Sequence, residues 1–161
     1  MNSYVVMGVS GCGKSLVGQT FADVTGARFV DGDSLHPAAN IAKMSRGEPL
    51  TDADRAPWLD LVGQVLQTPG TVVACSALKR LYRDRIRAGA GGPVVFLYLR
   101  GQRETLLQRM AARPGHFMPV SLLDSQLATL EEPGADEPHL TADIAQTPMA
   151  IVAQFCASLE L

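Results

Sequence analysis

Gly8-Val9-Ser10-Gly11-Cys12-Gly13-Lys14-Ser15 fits the phosphate-loop pattern G-x-x-x-x-G-K-[ST] at every fixed position. What precedes and follows it gives the match its meaning. Ser3 to Met7 is a short apolar run ending at Gly8, the signature of a buried parallel strand. After the motif, Leu16, Val17, Phe21 and Val24 recur at helical spacing, and Gly26 supplies a stop. Strand, glycine-rich loop and helix therefore follow one another. The glycines let backbone N–H groups converge on phosphate oxygens, and the helix turns its positive end toward the same anion. Lys14 adds a charge that reaches the β- and γ-phosphates, and the Ser15 hydroxyl is placed to ligate Mg²⁺. The expected ATP-binding residues on this loop are Gly8, Val9, Ser10, Gly11, Cys12, Gly13, Lys14, Ser15 and Leu16. The plain alternative is a glycine-rich turn with no ligand. A dinucleotide fingerprint fits worse: its third glycine would fall at Leu16, and Lys14-Ser15 would have no purpose.

Further along, Arg28 to Val30 reads as a second strand ending at Asp31-Gly32-Asp33. Helices are expected over about 37–45 and 54–66, a third strand over Thr71 to Cys75, and a basic helix over Leu78 to Arg87. Pro93 to Leu99 reads as a fourth strand, Glu104 to Ala112 and Leu122 to Leu130 as helices, Asp143 to Ala145 as a last strand, and Pro148 to Leu159 as a last helix. Strands alternating with helices predict an α/β fold with a parallel sheet. One domain, residues 1–161, accounts for the length, with insertions at 37–66 and 113–139 that can move. The 161 residues are 47% hydrophobic and 19% charged, with a formal net charge of −2. That composition is ordinary for a soluble domain and gives no global field favouring nucleic acid or an anionic membrane. Three scattered cysteines, Cys12, Cys75 and Cys156, form neither a zinc pattern nor a disulfide framework. Without a signal peptide or an apolar run of about 18 residues, the expected location is the cytoplasm.

Many phosphate-loop proteins are switches or motors. No [NT]KxD guanine-reading motif occurs, and Asp23-Val-Thr-Gly26 has the DxxG letters too early, inside the first helix. The third strand also lacks the terminal acid of a motor ATPase. The acids stand instead at Asp31 and Asp33, after the second strand, where the carboxyl ends of parallel strands form a ligand crevice. Alternate strand-end residues point the same way. Asp31 can then support Mg²⁺ through water while Asp33 accepts the proton of an acceptor hydroxyl; a plain Asp-Gly-Asp turn is the alternative. Arg109 and Arg113 share a helical face running into a Pro/Gly loop, as a lid that neutralises transition-state charge would require. Lys79, Arg80, Arg83, Arg85 and Arg87 form a basic cluster. Balancing acids and few aromatics weigh against a nucleic-acid patch. Lys79 and Arg83 are candidates to hold an anionic acceptor, against a solvated helix face.

The chain closely resembles the small gluconokinases along nearly its whole length. The residues carrying the likeness are Gly8–Ser15, Asp31-Gly-Asp-Ser-Leu-His-Pro37, Asn40-Ile-Ala-Lys-Met44 and Gly47-Glu-Pro-Leu-Thr-Asp-Ala-Asp-Arg55 with Pro57-Trp58-Leu59. Ala74-Cys-Ser-Ala-Leu-Lys79, Tyr82-Arg83, Arg113-Pro-Gly-His-Phe-Met118, Leu122-Leu-Asp-Ser-Gln126 and Leu130-Glu-Glu-Pro133 continue it. The resemblance implies a P-loop NTP hydrolase fold of the nucleoside-monophosphate-kinase kind: a five-stranded parallel sheet in the order 2-3-1-4-5, a substrate-binding helical insertion over about 37–66 and a lid over about 109–126. It implies transfer of the γ-phosphoryl group of ATP to the 6-hydroxyl of D-gluconate, with Mg²⁺, in a homodimer. Lys14, Asp33 and Arg113 are then the expected catalytic residues, with Arg109 and Arg113 also on ATP. Asp33, His36, Arg55, Ser76, Lys79, Arg83, His116 and Gln126 are expected to hold substrate, and Ser15 and Asp31 the metal. Trp58 is expected to pack. Shikimate or another small metabolite as acceptor, and a non-catalytic nucleotide-binding regulator, are the rival readings.

Overall fold

Ser3–Met7 forms β1, and all five of its residues are buried. Successive strand residues face opposite sides of a sheet, and here both sides are covered. Tyr4 and Val6 pack with Val17, Phe21, Ile151, Val152 and Phe155, while Val5 and Met7 pack with Trp58, Leu59, Val62, Tyr82 and Ile86. That double burial is why the segment reads as an unbroken apolar run.

The computed structural model describes residues 2–112 and 120–161. After β1 come α1 (Lys14–Thr25), β2 (Arg28–Asp31), a 3-10 helix (Gly32–Leu35), α2 (Ala38–Ser45), α3 (Asp52–Leu66) and β3 (Thr71–Ala74). Then follow α4 (Arg80–Ala90), β4 (Val94–Arg100), α5 (Arg103–Ala111), α6 (Val120–Thr129), β5 (His139–Asp143) and α7 (Pro148–Leu159). The five strands run parallel in the order β2-β3-β1-β4-β5, the order the resemblance implied. All the carboxyl ends therefore share one edge, and the loops leaving that edge build the site. Helices α1 and α7 cover one face of the sheet, α3 and α4 the other.

Three local readings are corrected. The last strand is His139–Asp143, not Asp143 to Ala145. It pairs only with β4, and Ala142 is its one buried residue, so little apolar pattern marks it. Helix α4 starts at Arg80, not Leu78. Ala77 takes a positive φ of 46° and Lys79 is extended, which holds the chain out of the helix until then. Asp33 does not continue β2; it lies in the 3-10 helix, whose first turn is closed by its own N–H donating to Asp31 Oδ1 at 3.0 Å. The stretch 37–66 contains α2 and α3; a capping box at Thr51 and Asp54 starts α3, and the Lys43–Asp54 ion pair at 2.6 Å joins the two helices.

Candidate active site

The glycine-rich loop leaves β1 at the middle of the edge. Gly11 and Gly13 have φ of 84° and 91°, values that a side chain would strain. Gly13 caps α1; among the described residues no side chain caps that helix, and no acid stands in its first turn. The N–H groups and the positive end of α1 therefore face outward, ready for an anion. Ser15 and Leu16 are exposed just inside the helix. Lys14 rests its ammonium on the Val9 carbonyl of its own loop at 3.2 Å. Cys12 is wholly buried beneath the loop. Burial pushes its thiol up, opposed by Lys14 and, more weakly, by Arg109, so both cations stand near the loop.

Two further chains brace it. The Gln126 amide spans Ser10, accepting from its N–H at 2.7 Å and donating to its hydroxyl at 3.0 Å. Gln126 was expected on the acceptor; the structure sets it against the phosphate loop instead. Arg109 lies beside Gly13 and donates to the Ile144 carbonyl, which tethers α5 to the end of β5. Arg113 and His116 lie outside the described residues, as does the middle of the expected lid.

On the neighbouring side, Asp31 and Asp33 are both exposed at the end of β2. Gly32 between them is buried, and a Cβ there would stand 2.4 Å from the Ala74 carbonyl. No side chain fits, so this turn is pressed against the end of β3. Trp58 Nε1 donates to the Gly32 carbonyl at 2.8 Å, and its ring stacks on His36 at 4.1 Å between centroids. Burial holds the His36 imidazole below its ordinary value, with Asp33 opposing and Arg55 reinforcing the shift. Burial, with a smaller push from Asp33, raises the Cys75 thiol to about 12 against the opposing Ala77 N–H and Lys14. Lys14 and Asp33 thus both act on the Cys75 thiol, one from each neighbouring loop.

The side expected to take the acceptor is bordered by α3, α4 and the loop after β3. Gly8 N–H donates to the Ser76 carbonyl at 3.2 Å, which joins that loop to the phosphate loop. Arg55 and Lys79 both lie over the Tyr82 ring, 5.4 and 5.5 Å from its centroid. Arg55 also donates to the Leu50 carbonyl at 2.7 Å and to Tyr82 Oη at 3.3 Å. Asp52 joins them, accepting from Tyr82 Oη at 2.6 Å and from Lys79 at 3.3 Å. Neither Asp52 nor Tyr82 stood out in the sequence as a site residue.

Arg83 is a correction. It is 0% exposed, and its guanidinium donates to both Glu137 oxygens (2.8 and 3.2 Å) and to the Ala77 carbonyl (2.8 Å). It braces the loop from inside and presents nothing to a ligand. The rest of the basic cluster is also committed: Lys79 to Asp52, Arg80 to Asp136, Arg85 to Asp60, and Arg87 to Asp84 and Glu137. This helix is a charge-paired seam, not a polyanion surface. On the far side of the edge, Arg100, Gly101, Gln102 and Asp143 line a hollow at the ends of β4 and β5.

Comparison with known proteins bears on this site. The shikimate kinase family model matches residues 10–155. A gluconokinase of Gluconobacter oxydans is 54% identical over 139 residues, covering 83% of this chain and 78% of the relative. The thermosensitive gluconokinase of Escherichia coli is 46% identical, covering 96% and 84%. Among solved structures, a gluconokinase from Sinorhizobium meliloti superposes with a TM-score of 0.87 at 47% identity, covering 99% and 95% of the two chains. A shikimate kinase from Bacteroides thetaiotaomicron superposes at 0.72 with 16% identity, covering 99% of each, and shares the fold alone.

Proposed function

The chain belongs to the gluconokinase family, and we propose that it transfers the γ-phosphoryl group of ATP to the 6-hydroxyl of D-gluconate, releasing 6-phospho-D-gluconate and ADP. The observation that carries the reading is that the phosphate loop with Lys14, after β1, and the turn with Asp33, after β2, open on the same carboxyl edge of the sheet, with the loop after β3 between them. One group is a cation for the transferring phosphate, the other a base for the attacking hydroxyl.

In this reaction the 6-hydroxyl oxygen forms a bond to the γ-phosphorus while the bond to the bridging oxygen of ADP breaks. Asp33 takes the hydroxyl proton as that bond forms. Lys14 leaves the Val9 carbonyl for the phosphates, and with Arg109 and Arg113 it opposes the charge spread over the transferring group. The N–H groups of Gly11 and of Gly13 to Ser15, with Leu16 after them, hold the α- and β-phosphates in register. Arg55, Lys79, Ser76, His36 and His116 orient the acceptor. Arg55 and Lys79 suit its carboxylate.

Mg²⁺ fits the donors present. Ser15 and Asp31 offer hard oxygens, and among the described residues no group of three or more His, Cys, Asp or Glu side chains forms a metal cage. Such an ion would be held mainly by phosphate and water oxygens, with Ser15 direct and Asp31 through water. Its contribution is to neutralise charge on the β- and γ-phosphates.

The rival acceptor, shikimate, rests on a family description and on structures sharing 13% and 16% identity, against 46% to 54% for gluconokinases. An ADP-release assay with gluconate, shikimate and nucleoside monophosphates decides between them. Turnover of gluconate alone is expected; preference for shikimate, or no turnover of any, would overturn the reading. A homodimer in the cytoplasm completes the proposal, checked by light scattering and cell fractionation. Among the described residues no helix is long and apolar enough to cross a membrane.

A further inference from the structure

Two cations and a phenol converge beside the proposed acceptor site, and a carboxylate already lies among them. Asp52 Oδ1 accepts from Tyr82 Oη at 2.6 Å and from Lys79 Nζ at 3.3 Å. Arg55 reaches the same phenol at 3.3 Å. The hydrogen bonds from Tyr82 and Lys79 hold the Asp52 carboxyl below its ordinary range, and Arg55 adds to the effect. The cluster borders the reacting centre: the His36 N–H donates to the Asp33 carbonyl at 3.4 Å, and the His36 ring stacks on Trp58, one turn along α3 from Arg55. An acceptor with its hydroxyl at Asp33 thus extends past His36 toward Arg55, Tyr82 and Lys79.

We infer that Asp52 is a resident carboxylate in the anion cradle of the acceptor site, displaced when the acceptor's own carboxylate enters. This rests on the gluconate reading above. Three features support displacement over permanent pairing. The Asp52 side chain is 51% exposed and that of Lys79 32% exposed, so water screens the bridge and it holds weakly. The cradle offers what a ligand carboxylate seeks, two cations and a hydroxyl donor, and one oxygen of Asp52 takes both bonds. Asp52 also lies in the first turn of α3, where the positive end of the helix keeps a released carboxylate well placed. The contrast with Arg83 and Glu137 is instructive. That pair is buried and cannot exchange with a ligand; this one faces solvent and can.

The test uses Asp52→Asn and Asp52→Ala in the full chain, with gluconate and ATP varied separately. A displaced competitor predicts that both substitutions lower KM for gluconate by about two- to fivefold, the range an exposed pair supports. The turnover number and KM for ATP stay at parental values. If Asp52 instead orients Lys79 or holds a substrate hydroxyl, the alanine variant raises KM for gluconate, and the inference is overturned. An unchanged KM in both variants overturns it too. A parent enzyme that releases no ADP with gluconate sinks the proposed function, and this inference with it. A parent that turns gluconate over beside variants with unchanged or raised KM sinks the inference alone.

Discussion

Replacing Glu137 by Gln tests how the acceptor loop is held. Glu137 is 4% exposed and accepts from Arg83 at 2.8 and 3.2 Å, from Arg87 at 2.8 Å and from the Gly134 N–H at 2.9 Å. Burial alone would raise its pKa, but these donors outweigh it and bring the carboxyl from 4.5 down to about 2. A carboxyl depressed that far on folding contributes about 3 kcal/mol at neutral pH. The folded value lies below the unfolded one, so the contribution is complete above pH 4.5 and is lost as pH falls from there toward about 2. Glu137→Gln removes it and leaves Arg83 buried without a counter-charge, a loss of about 3–5 kcal/mol. For a chain of this size that lowers Tm by about 10 °C. Calorimetry of parent and variant from pH 7 to pH 3 should show a large gap at pH 7 that narrows as the medium becomes acid.

The same substitution bears on function through Ala77. That residue holds a positive φ of 46°, a conformation costing about 1–3 kcal/mol outside glycine. Its carbonyl is fixed by Arg83, which Glu137 in turn fixes. Loosening the pair should let the loop from Ser76 to Lys79 relax and raise KM for gluconate with KM for ATP little changed. The double variant Arg83→Met with Glu137→Leu separates the two effects. An apolar pair can restore stability, but it offers nothing to the Ala77 carbonyl, so KM stays raised. A Glu137→Gln protein within about 0.5 kcal/mol of the parent, with the same acid limb, would refute the reasoning.

Lys14→Ala should lower kcat by at least about 10²-fold at saturating ATP, the loss typical of one transition-state donor; kinetics within a few-fold of the parent would remove Lys14 from catalysis. Asp33→Asn keeps shape but not basicity, so kcat should fall by about 10²–10⁴-fold with ATP affinity little changed, read by single-turnover phosphoryl transfer. Trp58→Phe keeps the stack on His36 and removes the hydrogen bond to the Gly32 carbonyl; stranding that carbonyl should cost about 1–3 kcal/mol in chemical denaturation. Gln126→Ala frees the Ser10 N–H, and KM for ATP should rise several-fold in steady-state assays while KM for gluconate holds.

The carboxyl edge was legible because its signals are local. Gly11, Gly13, Lys14 and Ser15 take their roles from a strand before them and a helix after them, both visible within a few residues. Asp31 and Asp33 were legible as a pair at a strand end, with a turn as the alternative, but what makes the turn was not. What turns the chain there is a fit between Gly32 and the Ala74 carbonyl, a strand away. The basic helix shows the limit most clearly. Pairing Lys79 with Arg83 as anion holders assumed a helix running from Leu78; with Lys79 extended as the cap of α4, one reaches Asp52 and the other is buried in the core. The acids that neutralise the cluster, Asp52, Asp60, Asp136 and Glu137, lie tens of residues from their partners. A run of arginines looks the same in sequence whether solvent or such acids await it. The stretch from Glu131 to His139, by its residues alone, looks like an acidic loop for the same reason. Folded, it donates from its Glu131 N–H to the Leu78 carbonyl at 2.7 Å and receives the Arg80 N–H on the Glu131 carboxylate at 2.9 Å. The small net charge of −2 carries a trace of this arrangement: acids and bases that cancel over the whole chain cancel here side by side, in the seam that holds the loop from Ser76 to Lys79.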